Sequence, residues 1–219
     1  MNSKMKLPNT EMIAGRLYTL NLVKGFNPFN EVLVLRGKKE YREWNPNRSK
    51  LGAAIVKGVI LSMEQGWKVL YLGIAHGYTA SRVATIVGND GIVYGVEMSE
   101  RCFNDLLPLT EKLTNIVPVL SDARKTENYD WVEPCDLVYC DIADRQMTEI
   151  AIDNCRKFLK PKGTLMLAIK ARSIDVTESP RKIVLQEIEK LKKADFRVDD
   201  WKMLDPFEKD HAMIVATME

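Results

Sequence analysis

Val69–Ser81 reads "VLYLGIAHGYTAS", an apolar run that breaks into a turn framed by Gly73 and Gly77 and then opens an amphipathic stretch. Strand, glycine turn and helix follow in this order where an open α/β sheet meets a ligand, because ligands sit beyond the carboxyl ends of the strands. Glycines allow backbone angles and a close approach that a side chain would obstruct. A helix starting directly after them presents unpaired N–H groups to an anion or a carboxylate. Gly73, Ala75 and Gly77 are therefore candidate ligand-contacting positions. Tight strand–helix packing also accounts for such glycines, so the turn needs support from elsewhere in the chain.

That support begins with the strand pattern downstream. From Lys68 on, the apolar runs "KVLYLG", "GIVYGVE", "NIVPVLSD", "CDLVYCD", "GTLMLAIKA", "DFRVDDWKML" and "HAMIVATM" alternate with the helical patterns "TASRVATIVG", "RCFNDLLPLTEKL", "RQMTEIAIDNCRKFL" and "PRKIVLQEIEKLKKA". Pro108 should kink the second helix or delay its start. Buried runs separated by helices predict right-handed βαβ units and a mainly parallel sheet. Only "LDPFEKD" joins the last two strands, too little for a crossover, so the final strand should run antiparallel. Seven strands ending in such a hairpin give an α/β, Rossmann-like sheet of the class I S-adenosylmethionine-dependent methyltransferase layout. A doubly wound NAD dehydrogenase would instead continue with a sixth parallel strand.

The first third has a different texture. "RLYTLNLV" and "EVLVLRG", separated by the turn "KGFNPFN", predict a small N-terminal antiparallel β extension. It ends near "KEYREWNPNRSK", where Pro46 interrupts the chain and Asn47 or Ser49 caps a helix over "KLGAAIVKGVILSM". The expected division is a small N-terminal β domain over 1–48 and a methyltransferase domain over 49–219.

Bulk properties narrow the function. The 219 residues suffice for a full core, and no apolar segment approaches a membrane span, so no membrane partner is expected. "MNSKMKLPNTEM" lacks the apolar core of a signal peptide, which points to the cytoplasm. The four cysteines form no C-x-x-C pair and there are two histidines, so no metal site is expected and reduced, buried thiols are the better reading. A formal charge of +2 is low for a protein that grips nucleic acid by phosphate contacts alone. If nucleic acid is the substrate, a partner or a local patch must supply part of the grip.

Two carboxylates at strand ends complement the glycine turn. Glu97 closes "GIVYGVE" about 20 residues after the glycines, where a carboxylate accepts both ribose hydroxyls of an adenosine moiety; it could instead cap the helix that starts at Ser99. Asp122, in "SDA", could take the adenine amino group. Together they point to an adenosine-bearing cofactor without separating a methyl donor from NAD. Asp141 ends "CDLVYCD", Lys170 lies near the end of "GTLMLAIKA", and His211 opens the antiparallel last strand. These three would converge on the cofactor's edge of the sheet, with Lys50 closing the group from above. Each has a bland alternative as a solvated charge, an ion pair or a helix cap.

The words "EYREWNPNRSKLGAAI", "KVLYLG", "NIVPVLSDA", "SDARK", "IKARSIDVT" and "PFEKDHAMIV" carry a resemblance over nearly the whole chain. The sequence resembles the fibrillarin family in its short archaeal form. The resemblance implies an S-adenosyl-L-methionine-dependent RNA ribose 2′-O-methyltransferase for rRNA and tRNA, the catalytic subunit of a C/D-box ribonucleoprotein. Its partners would be a guide RNA with its target, a Nop-domain scaffold protein and a kink-turn-binding protein related to a ribosomal protein. The resemblance places cofactor contacts at Tyr78, Thr79, Glu97, Met98, Asp122, Ala123, Asp141, Ile142, Ala143 and Asp144, and the catalytic group at Lys50, Asp141, Lys170 and His211. The chain departs from the family in two places. "AHGYT" puts His76 and Tyr78 where small hydroxyl residues are usual, and "DIADR" replaces D-V-A-Q-P. Contacts at Tyr78 and Asp144 are therefore expected through backbone groups.

Methyl transfer needs the ribose oxygen in line with the methyl, and orientation of this kind can lower a barrier by roughly 7–11 kcal/mol. Lys170 would serve as the cation or base beside that oxygen, Asp141 would orient it, and His211 and Lys50 would position the ribose and phosphate. A methyltransferase for small molecules or proteins would explain the cofactor elements but not "REWNPNRSKL" or "PFEKDH". A structural subunit without catalysis would fit the two departures.

Overall fold

The computed structural model describes residues 7–219, so the first six residues of the expected N-terminal domain lie outside it. Near the start, β1 (Thr10–Ile13), β2 (Arg16–Leu20), β3 (Leu33–Arg36) and β4 (Lys39–Glu43) form an antiparallel sheet in the order β1-β2-β4-β3. The sequence pattern anticipates β2 and β3. The others, "TEMI" and "KEYRE", are short, and pairing makes them strands: the first with β2, the second with both β2 and β3.

After a tight turn at Pro46–Arg48 comes α1 (Lys50–Val56), capped by Ser49, whose Oγ accepts the Gly52 N–H at 3.1 Å. The expected helix reached Met63, but α1 stops early because Gly58 takes a φ of +72°. Beyond it, Val59, Leu61 and Met63 are buried while Ile60 and Ser62 are exposed. This is the two-residue period of extended chain, which an apolar run of this length disguises.

The second sheet contains β5 (Lys68–Leu72), β6 (Ile92–Glu97), β7 (Ile116–Leu120), β8 (Cys135–Cys140), β9 (Leu159–Lys170), β10 (Phe196–Met203) and β11 (His211–Met218), in the order β10-β11-β9-β8-β5-β6-β7. β5 through β9 are mutually parallel, and β11 runs antiparallel to both of its neighbours. The helices are α2 (Tyr78–Val87), α3 (Glu100–Thr110), α4 (Met147–Phe158), α5 (Ala171–Ile174) and α6 (Pro180–Lys193). α3 starts at its Ser99 cap and continues through Pro108, so the proline does not delay it. This is the Rossmann-like class I methyltransferase fold, with the N-terminal sheet as an extension.

Alternation along the strands sorts the side chains into two buried clusters. Val69, Tyr71, Leu137, Tyr139, Met166 and Met213 pack in one, and Leu70, Leu72, Val138, Cys140, Leu167 and Ile214 in the other. Leu17 and Trp44 of the N-terminal segment belong to the first cluster, so the small sheet and the large one share a core. No helix among the described residues is long and apolar enough to cross a membrane.

The four cysteines are free thiols, and Cys135, Cys140 and Cys155 are buried. Burial pushes Cys135 and Cys140 up to about 12 and Cys155 well above the usual thiol range. Since the thiolate is the reactive form, a thiol reagent at pH 8 should label Cys102 alone in the native protein and all four cysteines in denaturant. Mass spectrometry of the labelled chain checks this.

Candidate functional site

The turn after β5 sits against the loop that leaves β8. Gly73 has a φ of +79°, and a Cβ there would fall 2.8 Å from the Asp141 carbonyl oxygen. Gly77 has a φ of +83°, and its Cβ would meet Leu109 and, at 2.7 Å, Leu106 of α3. The first glycine thus permits close approach of two strand-end loops, and the second permits packing of α2 on α3.

Beside Gly73 opens a cavity of about 250 Å³ at the carboxyl ends of β5 to β8. Of the expected cofactor positions, Gly73, Ala75, Glu97, Met98, Asp122, Ala123, Asp141, Ile142, Ala143 and Asp144 line it. Glu97 is buried, with one carboxylate oxygen accepting the Ala75 N–H at 2.9 Å and the other the Ser99 N–H at 2.8 Å. The helix cap is Ser99 itself, whose Oγ accepts from Cys102, so Glu97 serves the turn and the cavity instead. Each oxygen retains a lone pair for a further donor.

Gly77, Tyr78 and Thr79 are not among the lining residues. The Tyr78 side chain faces the N-terminal segment: its hydroxyl accepts the Asn45 N–H at 3.0 Å, its ring meets Phe29 edge-on at 5.3 Å, and the Arg48 guanidinium lies 4.4 Å above it. Thr79 donates to Ser49 Oγ at 2.9 Å, tying α2 to the cap of α1. What these two residues can offer the cavity is the unpaired N–H of a first helical turn. His76 lies outside the lining too, 3.4 Å from Asp105 on α3.

Arg124 was not anticipated, although it stands in the quoted word "SDARK". It lines the cavity, contacts both Asp122 carboxylate oxygens through Nε at 3.2 Å, and reaches Asp144 Oδ2 at 3.4 Å. The Arg124 backbone N–H, with this ion pair, holds the Asp122 carboxyl below its usual range. Asp122 lies two residues beyond β7, so Arg124 can fold back from the next turn onto the loop after β8.

Asp141 connects the cavity to the lysines. It lines the cavity, and its Oδ1 lies 2.8 Å from Lys50 Nζ at the start of α1. Burial raises the Asp141 carboxyl, and Lys50, His211 and Lys170 oppose the shift. The buried Tyr71 and Tyr139 rings, both in the field of Asp141, meet edge-to-face at 4.6 Å. Lys170 ends β9, and His211 faces it across the ladder as its register partner on β11. Lys170 is exposed, while the His211 Nδ1 is 2.6 Å from the Lys209 carbonyl oxygen. Lys50, Asp141, Lys170 and His211 therefore occupy the same sheet edge as Glu97.

The cavity suits an adenosine chemically. Glu97 can take a diol, Asp122 an amino edge, and Met98, Ile142 and Ile150 supply an apolar lining for a flat base. Among the described residues no group of His, Cys, Asp and Glu side chains could hold a metal ion.

Comparison with known proteins gives the same direction. A fibrillarin-like rRNA/tRNA 2′-O-methyltransferase of Sulfolobus acidocaldarius is 49% identical over 203 residues, covering 92% of this chain and 88% of the relative. The crystal structure of Aeropyrum pernix fibrillarin in complex with natively bound S-adenosyl-L-methionine superposes with a TM-score of 0.84 at 44% identity, covering 92% of this chain and 88% of that one. A fibrillarin/Nop5p complex contains a chain matching with a TM-score of 0.89 at 39% identity, covering 98% of this chain and 99% of that one. The model of the fibrillarin family matches residues 6–219, and with the hairpin-ended sheet and the strand-end carboxylates in place, the chain belongs to the fibrillarin family of methyltransferases.

Proposed function

We propose that this chain is an S-adenosylmethionine-dependent RNA ribose 2′-O-methyltransferase, acting on rRNA and tRNA as the catalytic subunit of a guide-RNA C/D-box ribonucleoprotein. One observation carries the reading: Asp141 belongs at once to the cavity lined by Glu97 and Asp122 and to the Lys50 ion pair. Cofactor site and cation cluster therefore meet at a single residue. The relatives' named activity, the cofactor bound by the Aeropyrum protein and the Nop5p complex support it.

S-adenosylmethionine, when bound, supplies an electrophilic methyl group. Gly73, Glu97, Met98, Asp122 and the segment Asp141–Asp144 would hold it. Lys170, exposed at the end of β9, stands where a ribose hydroxyl can approach from solvent. As a cation it stabilises the developing oxygen charge, and as an amine it accepts the hydroxyl proton. Lys50 and Asp141 form one fixed pair beside it, and His211 completes a rim that can position a ribose and its phosphate. With a net charge of only +2, guide pairing and a Nop-domain scaffold with a kink-turn-binding protein would supply placement.

The test is reconstitution with the scaffold, the kink-turn-binding protein and a C/D-box guide, followed by transfer of a radiolabelled methyl group. A guide-matched target should take up label, and the same target with a 2′-deoxy nucleotide at the modified position should take up none. Equal labelling of the deoxy target would overturn the assignment to the ribose oxygen.

A further inference from the structure

The loops that leave β7 and β8 both contribute to the wall of the cavity, and one side chain spans them. Asp122 and Arg124 follow β7, Asp144 follows β8, and all three line the cavity. Arg124 reaches Asp122 with two groups: its backbone N–H donates to Oδ1 at 2.9 Å, and its Nε lies 3.2 Å from both oxygens. From the same guanidinium, Nη1 lies 3.4 Å from Asp144 Oδ2. Asp144 is itself anchored, its Oδ1 accepting the Gln146 N–H at 2.8 Å just before α4. A chain of contacts thus runs from the start of α4 through Asp144 and Arg124 to Asp122.

Stability does not account for this chain. The Arg124 side chain is 48% exposed and the two carboxylates are 26% exposed, and ion pairs this open to water contribute little to folding. What the contacts fix is a direction. Asp122 Oδ1 receives two donors, while Oδ2 receives Nε alone among the described residues. An ionised carboxylate has about two acceptor sites on each oxygen, so Oδ2 keeps one, and Arg124 determines where the carboxylate points. We infer that Arg124 is a positioning residue of the base subsite: held by Asp144, it orients Asp122 so that the cavity prefers a 6-aminopurine to a 6-oxopurine. The inference rests on the cofactor assignment proposed above. Its logic is that an ionised carboxylate accepts and cannot donate. Adenine offers it a donor at the 6-amino group, whereas hypoxanthine presents an oxygen there and a donor at the neighbouring N1. A fixed Asp122 meets that oxygen acceptor to acceptor, and a carboxylate free to turn can reach the N1–H instead.

The test is equilibrium binding to the full chain of S-adenosylhomocysteine, the donor without its methyl group, and of its 6-oxo counterpart S-inosylhomocysteine. The parent should prefer the adenosyl compound by about 10–100-fold, the range of a hydrogen bond to a charged group. Arg124→Ala should lower that ratio by about five-fold or more, the scale of coupling between residues in contact. Asp144→Asn keeps an oxygen for the Gln146 N–H and removes the charge that holds Arg124, so it should shift the ratio the same way by about two- to three-fold, as the loss of a half-exposed pair does. Both variants should melt close to the parent. Because Arg124 acts through Asp122, Arg124→Ala should leave the ratio unchanged once Asp122→Asn is in place. A merely structural role would weaken both compounds together and leave their ratio alone. An unchanged ratio in folded Arg124→Ala, or the same fall with Asp122→Asn already present, would overturn the role of Arg124 alone. A parent chain that binds neither compound would overturn the cofactor assignment, and this inference with it.

Discussion

Lys170→Ala should reduce methyl transfer to a guide-matched RNA by at least ~100-fold, the scale on which a lost general base or oxyanion-stabilising group acts. The affinity for the methyl donor should stay within about two-fold of the parent, because the cost of removing a group falls on the states it contacts. Lys170 is exposed at the carboxyl end of β9 and does not line the cavity that the donor would fill. Its removal also leaves the Lys50–Asp141 pair at the cavity edge with both partners. Lys170→Arg separates the two ways a lysine can act. Guanidinium keeps the charge but does not give up its proton in proteins, so substantial activity in the arginine variant would identify a cation, and activity as low as in Lys170→Ala would identify a base. Single-turnover transfer and equilibrium donor binding measure the two halves. A Lys170→Ala particle that methylates at the parent rate would remove Lys170 from the chemistry altogether.

Much of this arrangement was legible in the residue order because its signals are local. The parallel strands are buried on both faces and read as unbroken apolar runs, and "LDPFEKD" is too short to allow anything but a hairpin. Once the last strand is antiparallel, His211 at its start must share an edge with Lys170 at the end of a parallel one. Glu97 was legible for the same reason, as the last residue of a strand beside the glycine turn. The short strands "TEMI" and "KEYRE" were not, because four residues are too few for the first to show a two-residue period and four of the five residues of the second are charged. Nor was the early end of α1, where Gly58 and the alternating burial of Val59, Leu61 and Met63 turn an apolar run into extended chain. Side-chain direction was less legible still. Tyr78 follows Gly77 directly, yet its ring is drawn away from the cavity by Phe29, Asn45 and Arg48, partners 30 or more residues upstream. Arg124 reveals its part only when the loops after β7 and β8 stand side by side.

The N-terminal sheet is joined to α2 by a buried charge cluster that no local pattern announces, and breaking it should have the largest effect on stability. Arg42 on β4 and Arg82 on α2 are both fully buried, and both reach the same oxygen of Glu31, Arg82 Nη2 at 2.5 Å and Arg42 Nη1 at 3.4 Å. Arg82 also donates to Thr19 Oγ1 at 3.1 Å and to the Glu43 carbonyl at 2.8 Å, so one side chain stitches α2 to two strands of the small sheet. Burial, with the charge of Arg82 beside it, pulls Arg42 down to about 10, which marks two cations held together by a single carboxylate. Glu31→Ala leaves both guanidiniums buried and facing each other. Removing one member of a buried ion pair costs about 3–5 kcal/mol, a large part of the roughly 5–15 kcal/mol that holds a domain folded. Urea unfolding should therefore show a midpoint shifted well down, with a single transition because Leu17 and Trp44 share the core of the large sheet. The triple replacement Glu31→Leu, Arg42→Met, Arg82→Met supplies the control. It removes the charges together and should recover most of the loss, since apolar groups of similar volume often replace buried ion pairs at little cost. If Glu31→Ala instead lowered stability by less than about 1 kcal/mol, the range of an exposed pair, water would have to reach the cluster, and the seam between the sheets would be looser than its buried side chains require.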